Sequence, residues 1–364
     1  MDGKGFLALE GQSPLADAER LLRTPPPEVT EAEAGRLAAH HYGRNCQARL
    51  LSGERDRNFL VSDGTGWAAI LKFFNSADDL STRALQHGAL DHIRARAPGC
   101  PVPEILPALD GRQEIVIERP GLSTAMMMIS CLPGVSPVAA DLTPAFRDRA
   151  GRAIGRLSRA MADYDHPRAK RTILWDMMMV GALHPLVALI EQPARRARIA
   201  QWLAHFSARV RPAAAMLTHQ PIHNDLSLSN LLIDPENRHR ITGIIDFGDI
   251  VHAPRINEFA VAASYFTSPD DDPATAVADI LQGAAADVAF EPREIALLPD
   301  LIKARLATRI LLSGWRAQLF PDNRAYILRS NSAAWMLWGR LADQDSDRMA
   351  ERISVLLQKG GGHE

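Results

Sequence analysis

PIHNDLSLSNLLIDPENRHRITGIIDFGDI, residues 221–250, is the stretch of the chain that decides the fold. It contains two apolar runs, 231–233 and 241–245, which are separated by polar, turn-forming residues. This pattern is typical of a β-hairpin. Pairing of the two strands brings Asn230 and Asp246 towards one end of the hairpin. The segment therefore predicts a site that is built from the loops at that end.

These loops carry the residue types that phosphoryl transfer uses. Asp225 precedes Asn230 by five positions, the offset of the H-R-D-x-x-x-x-N loop of protein kinases. We predict that Asp225 is the catalytic residue, because its carboxylate can accept the proton of an attacking hydroxyl. Asn230 and Asp246 are predicted to bind Mg²⁺, which prefers one or two carboxylates together with phosphate and water oxygens. The alternative is a turn network in which the aspartates only cap backbone amides.

Two further polar residues of this segment have other interpretations. Asp249 could be a second metal ligand or a turn cap, and the cap is slightly favoured. His223 is interpreted as a structural ring that packs in the loop and bonds to its backbone.

A lysine lies within a predicted strand of the β-rich section that precedes this segment. Strands are predicted at 46–51, 58–62 and 67–74, and Lys72 lies in the third. A lysine on a buried strand is costly unless an anion meets it, whereas on the solvent-facing side it needs no partner. Because the 221–250 segment follows, we favour the first interpretation and predict that Lys72 binds phosphate.

The loop between the first two strands lacks the G-x-G-x-x-G pattern of protein kinases. Its backbone amides are still predicted to cover the phosphates of the nucleotide. The contacts predicted here are Ser52, Gly53 and Arg57. Two more strands are predicted at 105–109 and 114–118, joined by a turn.

The chain is predicted to have three parts. Residues 1–33 are a leader, either a disordered arm or a strap on the folded body. Residues 34–131 are a nucleotide-binding β-sheet lobe with one helix, and residues 132–364 are a helical lobe with the catalytic loop, the metal loop and the acceptor pocket. Segment 126–132 is predicted to be the hinge between them. The methionine side chains at 126–128 are predicted to fill the core.

Bulk properties exclude several classes of protein. The 364 residues are 46% hydrophobic and 23% charged, with a net charge of −2, so we expect a globular enzyme of two domains without a nucleic-acid or membrane partner. Three widely spaced cysteines argue against a disulfide framework and indicate a reducing, cytoplasmic location. Neither a signal peptide nor a transmembrane run is predicted. The sequence carries no signal for an oligomeric state.

Together these motifs resemble the aminoglycoside phosphotransferase and choline kinase family of kinase-like enzymes, across roughly residues 34–340. Within it the chain is most similar to hydroxylysine kinase and related kinase-like domains. The residues that carry the resemblance are GERDRNF at 53–59, LKF at 71–73, LWD at 174–176, HND at 223–225 and IDFGD at 245–249. The late segment from Arg305 to Trp338, with PDN at 321–323 and Tyr326, is similar too. The resemblance implies an α+β, two-lobed protein-kinase-like fold, with an antiparallel β-sheet N-lobe and a mainly α-helical C-lobe.

The same resemblance implies ligands and a reaction. ATP and Mg²⁺ are the expected cofactors, and adenine is expected against the backbone of Met128, Ser130 and Leu132. The expected reaction moves the γ-phosphate of ATP to a hydroxyl of a small amine or amino acid. Hydroxylysine-like compounds, homoserine, amino alcohols and aminoglycosides are the candidate acceptors.

Two positions depart from the family pattern. Asn224 replaces the glycine of the usual His-Gly-Asp, although asparagine tolerates unusual φ angles better than most residues. Gln86 stands where many members have a glutamate, so it is predicted to be a weaker, neutral partner of Lys72, or else a helix-surface glutamine. Both departures favour the alternative function, a catalytically impaired nucleotide-binding or interaction module. A protein kinase is disfavoured, because no A-P-E motif follows Asp246.

Residues for acceptor recognition are the last set of predictions. Trp175 and Asp176 could hold an ammonium group by cation–π contact and ion pairing. The equal alternative is a core tryptophan with a capping aspartate. Arg255 and Glu258 are expected to brace the metal loop by ion pairing, with binding of a substrate carboxylate by Arg255 as a weaker alternative.

Overall fold

The computed structural model describes residues 14–53 and 55–360. They divide into two compact units. The sheet unit is Arg20–Pro133, and the helical unit begins at Gly134 and also includes residues 14–19. Glu54 of the loop predicted to cover the phosphates, the first thirteen residues of the leader and the glycine-rich tail after Gly360 lie outside the described residues.

The sheet unit is built on an antiparallel sheet. Its strands are β1 Gln47–Leu50, β2 Arg57–Ser62, β3 Ala68–Phe73, β4 Ile105–Leu106, β5 Ile115–Arg119 and β6 Leu122–Ser130. The strand order is β1-β2-β3-β6, and both β4 and β5 pair with the other edge of β6. Within the described residues, the first three helices are α1 Pro14–Arg23, which crosses the boundary between the units, α2 Glu31–Tyr42 and α3 Leu80–Arg96.

Strand β6 occupies most of the segment 126–132 that was predicted to be the hinge. The strands predicted at 105–109 and 114–118 correspond to β4 and β5, and each of them pairs with β6. The stretch 126–130 is regular strand that pairs with β3. The methionines at 126–128 are at most 2% exposed, so the prediction that they fill the core is confirmed. Methionine suits such a site because it adapts to irregular gaps.

Part of the leader lies on the sheet unit as a strap. The side-chain amide of Asn75 donates to the carbonyls of Thr24 and Pro25, each at 3.2 Å. Nε of Arg57 donates to the carbonyl of Pro27 at 3.1 Å. Of the two interpretations of the leader, the strap therefore applies to this stretch.

The helical unit contains two pairs of short strands among its helices. The strands are β7 His219–Ile222, β8 Leu231–Ile233, β9 Ile241–Ile244 and β10 Val251–Pro254. The helices are α4 Pro144–Met161, α5 Pro193–His205, α6 Arg211–Ala214, α7 Ile256–Phe266, α8 Pro273–Ala284, α9 Pro292–Leu319, α10 Arg324–Ile327, α11 Asn331–Ala342 and α12 Ser346–Gly360. None of the helices described is both long and apolar enough to cross a membrane.

The predicted hairpin is confirmed as the antiparallel pair β8 and β9. A second antiparallel pair, β7 with β10, was not predicted. The loop that carries Asp225 follows β7, and the loop that carries Asp246 precedes β10. The second pair therefore holds the outer ends of both loops of the predicted site.

Helices α4 and α8 approach so closely that their backbones touch. A Cβ atom on Gly151 would lie 2.0 Å from the carbonyl oxygen of Ile280, and one on Gly283 would lie 2.0 Å from that of Asp148. Glycine costs about 1 kcal/mol relative to alanine inside a helix. These two glycines therefore lower the helix propensity of α4 and α8, but they allow the two backbones to come into contact.

We predict that Gly151→Ala destabilises the helical unit, because an added methyl group forces the two helices apart, at a cost of about 1–3 kcal/mol or more. The matched control is Gly314→Ala in α9, where an added Cβ would have no neighbour within 4 Å. That variant should gain up to about 1 kcal/mol of helix propensity. Thermal and urea unfolding of both variants provide the measurement. Equal stability of the two would contradict the close packing.

Candidate active site

The loop after β7 is held by a buried carboxylate. Glu258 of α7 is 1% exposed, and its two oxygens accept the backbone N–H groups of His223 and Asn224 at 3.2 and 3.0 Å. Burial raises the pKa of Glu258, against the lowering effect of His223 and these N–H donors. Asn224 has φ 67°, in the left-handed region, where glycine is the ordinary residue. The loop thus keeps a conformation that suits the family's glycine, with asparagine in its place.

The carboxylate of Asp225 lies between two side-chain donors. Nη2 of Arg305 donates to Oδ1 at 2.7 Å, and Nδ2 of Asn230 donates to Oδ2 at 2.6 Å. The same Asn230 nitrogen also donates to the Asp225 carbonyl at 2.9 Å. Arg305 is 1% exposed in its side chain, whereas 26% of the Asp225 side chain remains exposed. Two hydrogen bonds therefore hold the Asp225 carboxylate, and part of its side chain remains accessible to solvent.

The pKa of Asp225 is raised to about 6. Burial is the main cause; the charge of Arg305 lowers the pKa, while the neighbouring charges of Asp249 and Asp246 raise it again. About a quarter of the Asp225 side chain remains exposed to water, so only its covered part is desolvated. A carboxylate that titrates near neutral pH is a better proton acceptor than an ordinary aspartate.

Asn230 and Asp246 present oxygen atoms at the same end of the hairpin. The backbone N–H of Ile245 donates to the Asn230 carbonyl at 2.9 Å, which holds the two loops together. Because the Asn230 amide nitrogen faces Asp225, its oxygen is left for another ligand. The backbone of Asp246 is in the left-handed conformation, with φ 66° and ψ 76°. Its Oδ1 accepts a hydrogen bond from the N–H of Gly248 at 3.4 Å.

This donor set fits Mg²⁺. One carboxylate and one amide oxygen supply part of a shell that phosphate and water oxygens usually complete. Within the ranges 14–53 and 55–360, no three histidine, cysteine or carboxylate residues lie close enough to hold a metal by themselves. Ligation by Asn230 and Asp246 stays a prediction.

The loop that carries Asp246 is also held by residues around it. The ring of His223 packs on Phe247 with centroids 4.7 Å apart, and its Nε2 is 3.0 Å from the carbonyl of Ile245. Arg171, which the sequence analysis did not single out, donates to the carbonyls of Gly248 and Ile250 at 2.6 and 3.0 Å. His223 therefore has the structural contacts expected of it.

Arg305 also connects Asp225 to the predicted acceptor residues. Its Nη1 donates to the Trp175 carbonyl at 2.8 Å, and its guanidinium lies 5.5 Å from the centre of the Trp175 ring. Arg305 was missed as a site residue. The sequence did not distinguish Arg305 from its charged neighbours in α9, because Lys303 and Arg309 lie two and four residues away from it.

Asp176 follows Trp175 and is buried, and no side chain among residues 14–53 and 55–360 forms an ion pair with it. It is 8% exposed, and its Oδ1 accepts the N–H of Met178 at 2.9 Å, which caps the 3₁₀ helix Met177–Leu189. Burial raises the pKa of Asp176 to about 6, against the lowering effect of the Met178 bond and of Arg305. The capping role is therefore present, and the ammonium-binding role stays a prediction.

Arg255 pairs with a residue that was not considered. Its Nε and Nη2 donate to the Glu294 carboxylate at 2.7 and 2.8 Å, and Nη2 also donates to the Ala289 carbonyl. The partner is Glu294, rather than Glu258, which binds backbone amides. The charge of Arg255 is thus already balanced within the protein, and its role towards substrate stays a prediction.

The sheet unit holds the predicted nucleotide residues. Lys72 is 6% exposed, and its Nζ lies 2.7 Å from Asp56 Oδ2 and 3.4 Å from Gln86 Oε1. The Ser130 N–H donates to the carbonyl of Glu104 at 2.8 Å. Met128 pairs with Leu71 and Leu106. Ser52 is exposed, whereas Gly53, Arg57 and Leu132 are half-buried. The nucleotide contacts of these residues stay predictions.

Comparison with known proteins identifies the class. Residues 47–298 match the model of the phosphotransferase enzyme family, and the chain belongs to this family. The predicted family, the kinase-like fold and the enzyme class, a phosphotransferase with an alcohol group as acceptor, are confirmed.

Particular relatives are similar along nearly the whole chain. Hydroxylysine kinase of Mus musculus is 22% identical over 347 residues, covering 89% of this chain and 92% of the relative. That of Danio rerio is 21% identical, covering 90% and 95%. Among solved structures, an amicoumacin kinase with AMP-PNP and Ca²⁺ has a TM-score of 0.62 at 18% identity, covering 88% and 94%. A microcompartment-associated aminopropanol kinase has a TM-score of 0.58 at 20% identity, covering 88% and 97%.

We predict that Asp176→Asn stabilises the protein in a pH-dependent way. A carboxyl pKa that is raised in the folded protein does not lower the free energy of unfolding below about pH 4, because the group is then protonated in both the folded and the unfolded state. The loss of stability grows as pH rises and is complete above about pH 6, at on the order of 3 kcal/mol. Asparagine keeps the cap but removes the charge. The melting temperature of the variant should therefore exceed that of wild type at pH 8 and approach it at pH 4.

Asp272→Asn is the matched control for this experiment. Asp272 caps α8 through Thr275 and is more exposed. Burial would raise its pKa, but its bonds to Thr275 and the charge of Arg352 lower it below the ordinary value. This variant should lose stability at neutral pH and less of it in acid. A pH-independent difference for Asp176→Asn would refute the buried charge.

Proposed function

We propose that this chain is an ATP-dependent kinase that transfers the γ-phosphate to a hydroxyl group of a small amine or amino acid. The observation that carries the proposal is the Asp225 carboxylate, held by Arg305 and Asn230 and open on one side. A base that is fixed in this way can orient an acceptor hydroxyl and take its proton.

The other residues divide the remaining tasks. Lys72 binds nucleotide phosphates through its ammonium group. Asn230 and Asp246 hold Mg²⁺, which neutralises charge on the phosphates when it is bound. Because phosphoryl transfer depends mainly on position and charge, these groups supply the kind of help that the reaction needs.

The acceptor is proposed to carry an amine near its hydroxyl. Asp176 is a buried acid that has no ion-pair partner within the described part of the chain, and it lies next to Trp175, which contacts Arg305. An ammonium group would supply the missing charge. The names of the relatives, hydroxylysine kinase and aminopropanol kinase, support an amino alcohol or a hydroxylated amino acid.

A second candidate is a nucleotide-binding module with impaired catalysis. The long, neutral contact between Gln86 and Lys72 favours it. The arrangement around Asp225 argues for the active enzyme. A module without catalysis has no need of a carboxylate that is partly exposed and has a raised pKa.

An acceptor screen tests the proposed reaction. We expect release of ADP from Mg²⁺-ATP with hydroxylysine, homoserine, 1-amino-2-propanol or an aminoglycoside. Each acceptor is matched with its deaminated analogue, such as 2-propanol, which should not stimulate release. Protein that is thermally stabilised by Mg²⁺-ATP but inactive with the whole panel would favour the impaired module instead.

We predict that Asp225→Asn lowers turnover on the order of 10²–10⁴-fold, because the proton acceptor is lost while the side chain keeps its shape. Thermal stabilisation by Mg²⁺-ATP should remain. ADP release and melting temperature are measured on the same preparation. Turnover close to that of wild type would remove the role given to Asp225.

We predict that Arg305→Met reduces turnover more than Arg316→Met, because only Arg305 pairs with Asp225. Both arginines are buried in α9, at 1% and 2% exposure, so both variants lose a buried cation. Removing Arg305 leaves the charge of Asp225 without its ion-pair partner. The loss of stability should be at most about 3–5 kcal/mol, because part of the Asp225 side chain is exposed. Turnover is compared per folded molecule. Equal losses in both variants would show that Arg305 acts through stability alone.

A further inference from the structure

The ammonium group of Lys72 is buried and requires a compensating charge. The residue is 6% exposed, and Nζ lies 5.2 Å from the centre of the Phe74 ring. An uncompensated charge in such surroundings is strongly unfavourable. Gln86 of α3 is neutral, and its 3.4 Å contact is at the long end of the hydrogen-bond range. The family's usual helix position therefore does not supply the charge.

Asp56 supplies this charge from the loop between β1 and β2. Its Oδ2 lies 2.7 Å from Nζ of Lys72, and its side chain is 12% exposed. Burial alone would raise the pKa of Asp56, but the charges of Lys72 and Arg55 hold it below its ordinary value. The carboxylate is therefore ionised at neutral pH and forms a true ion pair.

The position of Asp56 does not depend on Lys72. The backbone N–H of Asn75 donates to Asp56 Oδ1 at 2.8 Å, and Asn75 Nδ2 donates to the carbonyl of Arg55 at 3.0 Å. Arg55 in turn pairs with Asp78 at 3.1 Å. Asp56 is thus anchored to the segment between β3 and α3, and it presents its second oxygen to the lysine.

We propose that Asp56 is the positioning residue that holds Lys72 for the phosphates of a nucleoside triphosphate, in place of a helix glutamate. The inference rests on the proposed function and adds to it. Asp56 belongs to the same loop that is predicted to cover the phosphates with Ser52 and Gly53. The loop and the lysine are therefore set in place by one group of bonds.

Nucleotide binding tests this role without knowledge of the acceptor. The dissociation constant for Mg²⁺-AMP-PNP is measured by calorimetry for wild type, Asp56→Asn, and Asp56→Asn combined with Gln86→Glu. Asp56→Asn should weaken binding about tenfold or more, because Lys72 loses its anchor. Gln86→Glu should restore most of the affinity, since a carboxylate then stands at the 3.4 Å position.

Asp110→Asn is the matched control. Asp110 also lies in the sheet unit and pairs with an arginine, Arg112, but on the surface at 48% side-chain exposure. Its loss should leave nucleotide affinity unchanged. Melting temperatures without nucleotide are recorded for every variant.

Three results would overturn the inference. Unchanged or tighter binding by Asp56→Asn would mean that Asp56 is not needed or that it masks Lys72. Weaker binding that Gln86→Glu fails to restore would mean that Asp56 acts only through the fold of its loop. Wild-type protein that binds no nucleotide would remove the proposed function and this inference together, whereas the first two results leave the proposed function intact.

Discussion

The ion pair between Arg305 and Asp225 is the interaction on which the helical unit's site depends. Arg305 comes from α9, the 28-residue helix Pro292–Leu319, and is almost fully buried. It bonds Asp225 with one nitrogen and the Trp175 carbonyl with another. Asp225, which is the proposed base, and the proposed acceptor segment are thus set relative to each other by one rigid, planar group.

Each unit of the protein contains a charged residue with a proposed function that is paired at a largely buried position. The helical unit pairs Asp225 with Arg305, and the sheet unit pairs Lys72 with Asp56. Such pairs add little to stability, because desolvation offsets the attraction. Their value is positional, since each pair holds a reactive group in one geometry before any ligand binds. The raised pKa of Asp176 shows that its charged form lowers the stability of the folded protein, and this residue has a proposed role in substrate binding.

Local patterns made much of the fold predictable. The hairpin of β8 and β9 follows from two apolar runs around a turn, and α2 lies between two residue types that commonly end helices, the N-cap Thr30 and the left-handed Gly43. The five-residue offset from Asp225 to Asn230 also brings those side chains together. These features depend on neighbours in the chain, and short-range patterns report them well. The pairing of β7 with β10 was missed, because each strand is only four residues long and the two lie far apart in sequence.

The sequence by itself determined the family, the kinase-like fold and the loops that carry Asp225, Asn230 and Asp246. The tertiary structure decided which partners these groups have: Arg305 on Asp225, Asp56 on Lys72 and Glu294 on Arg255. The reason is physical. A motif records local backbone geometry, whereas the partner of a buried charge is chosen by long-range packing, which brings together residues that are distant in the chain.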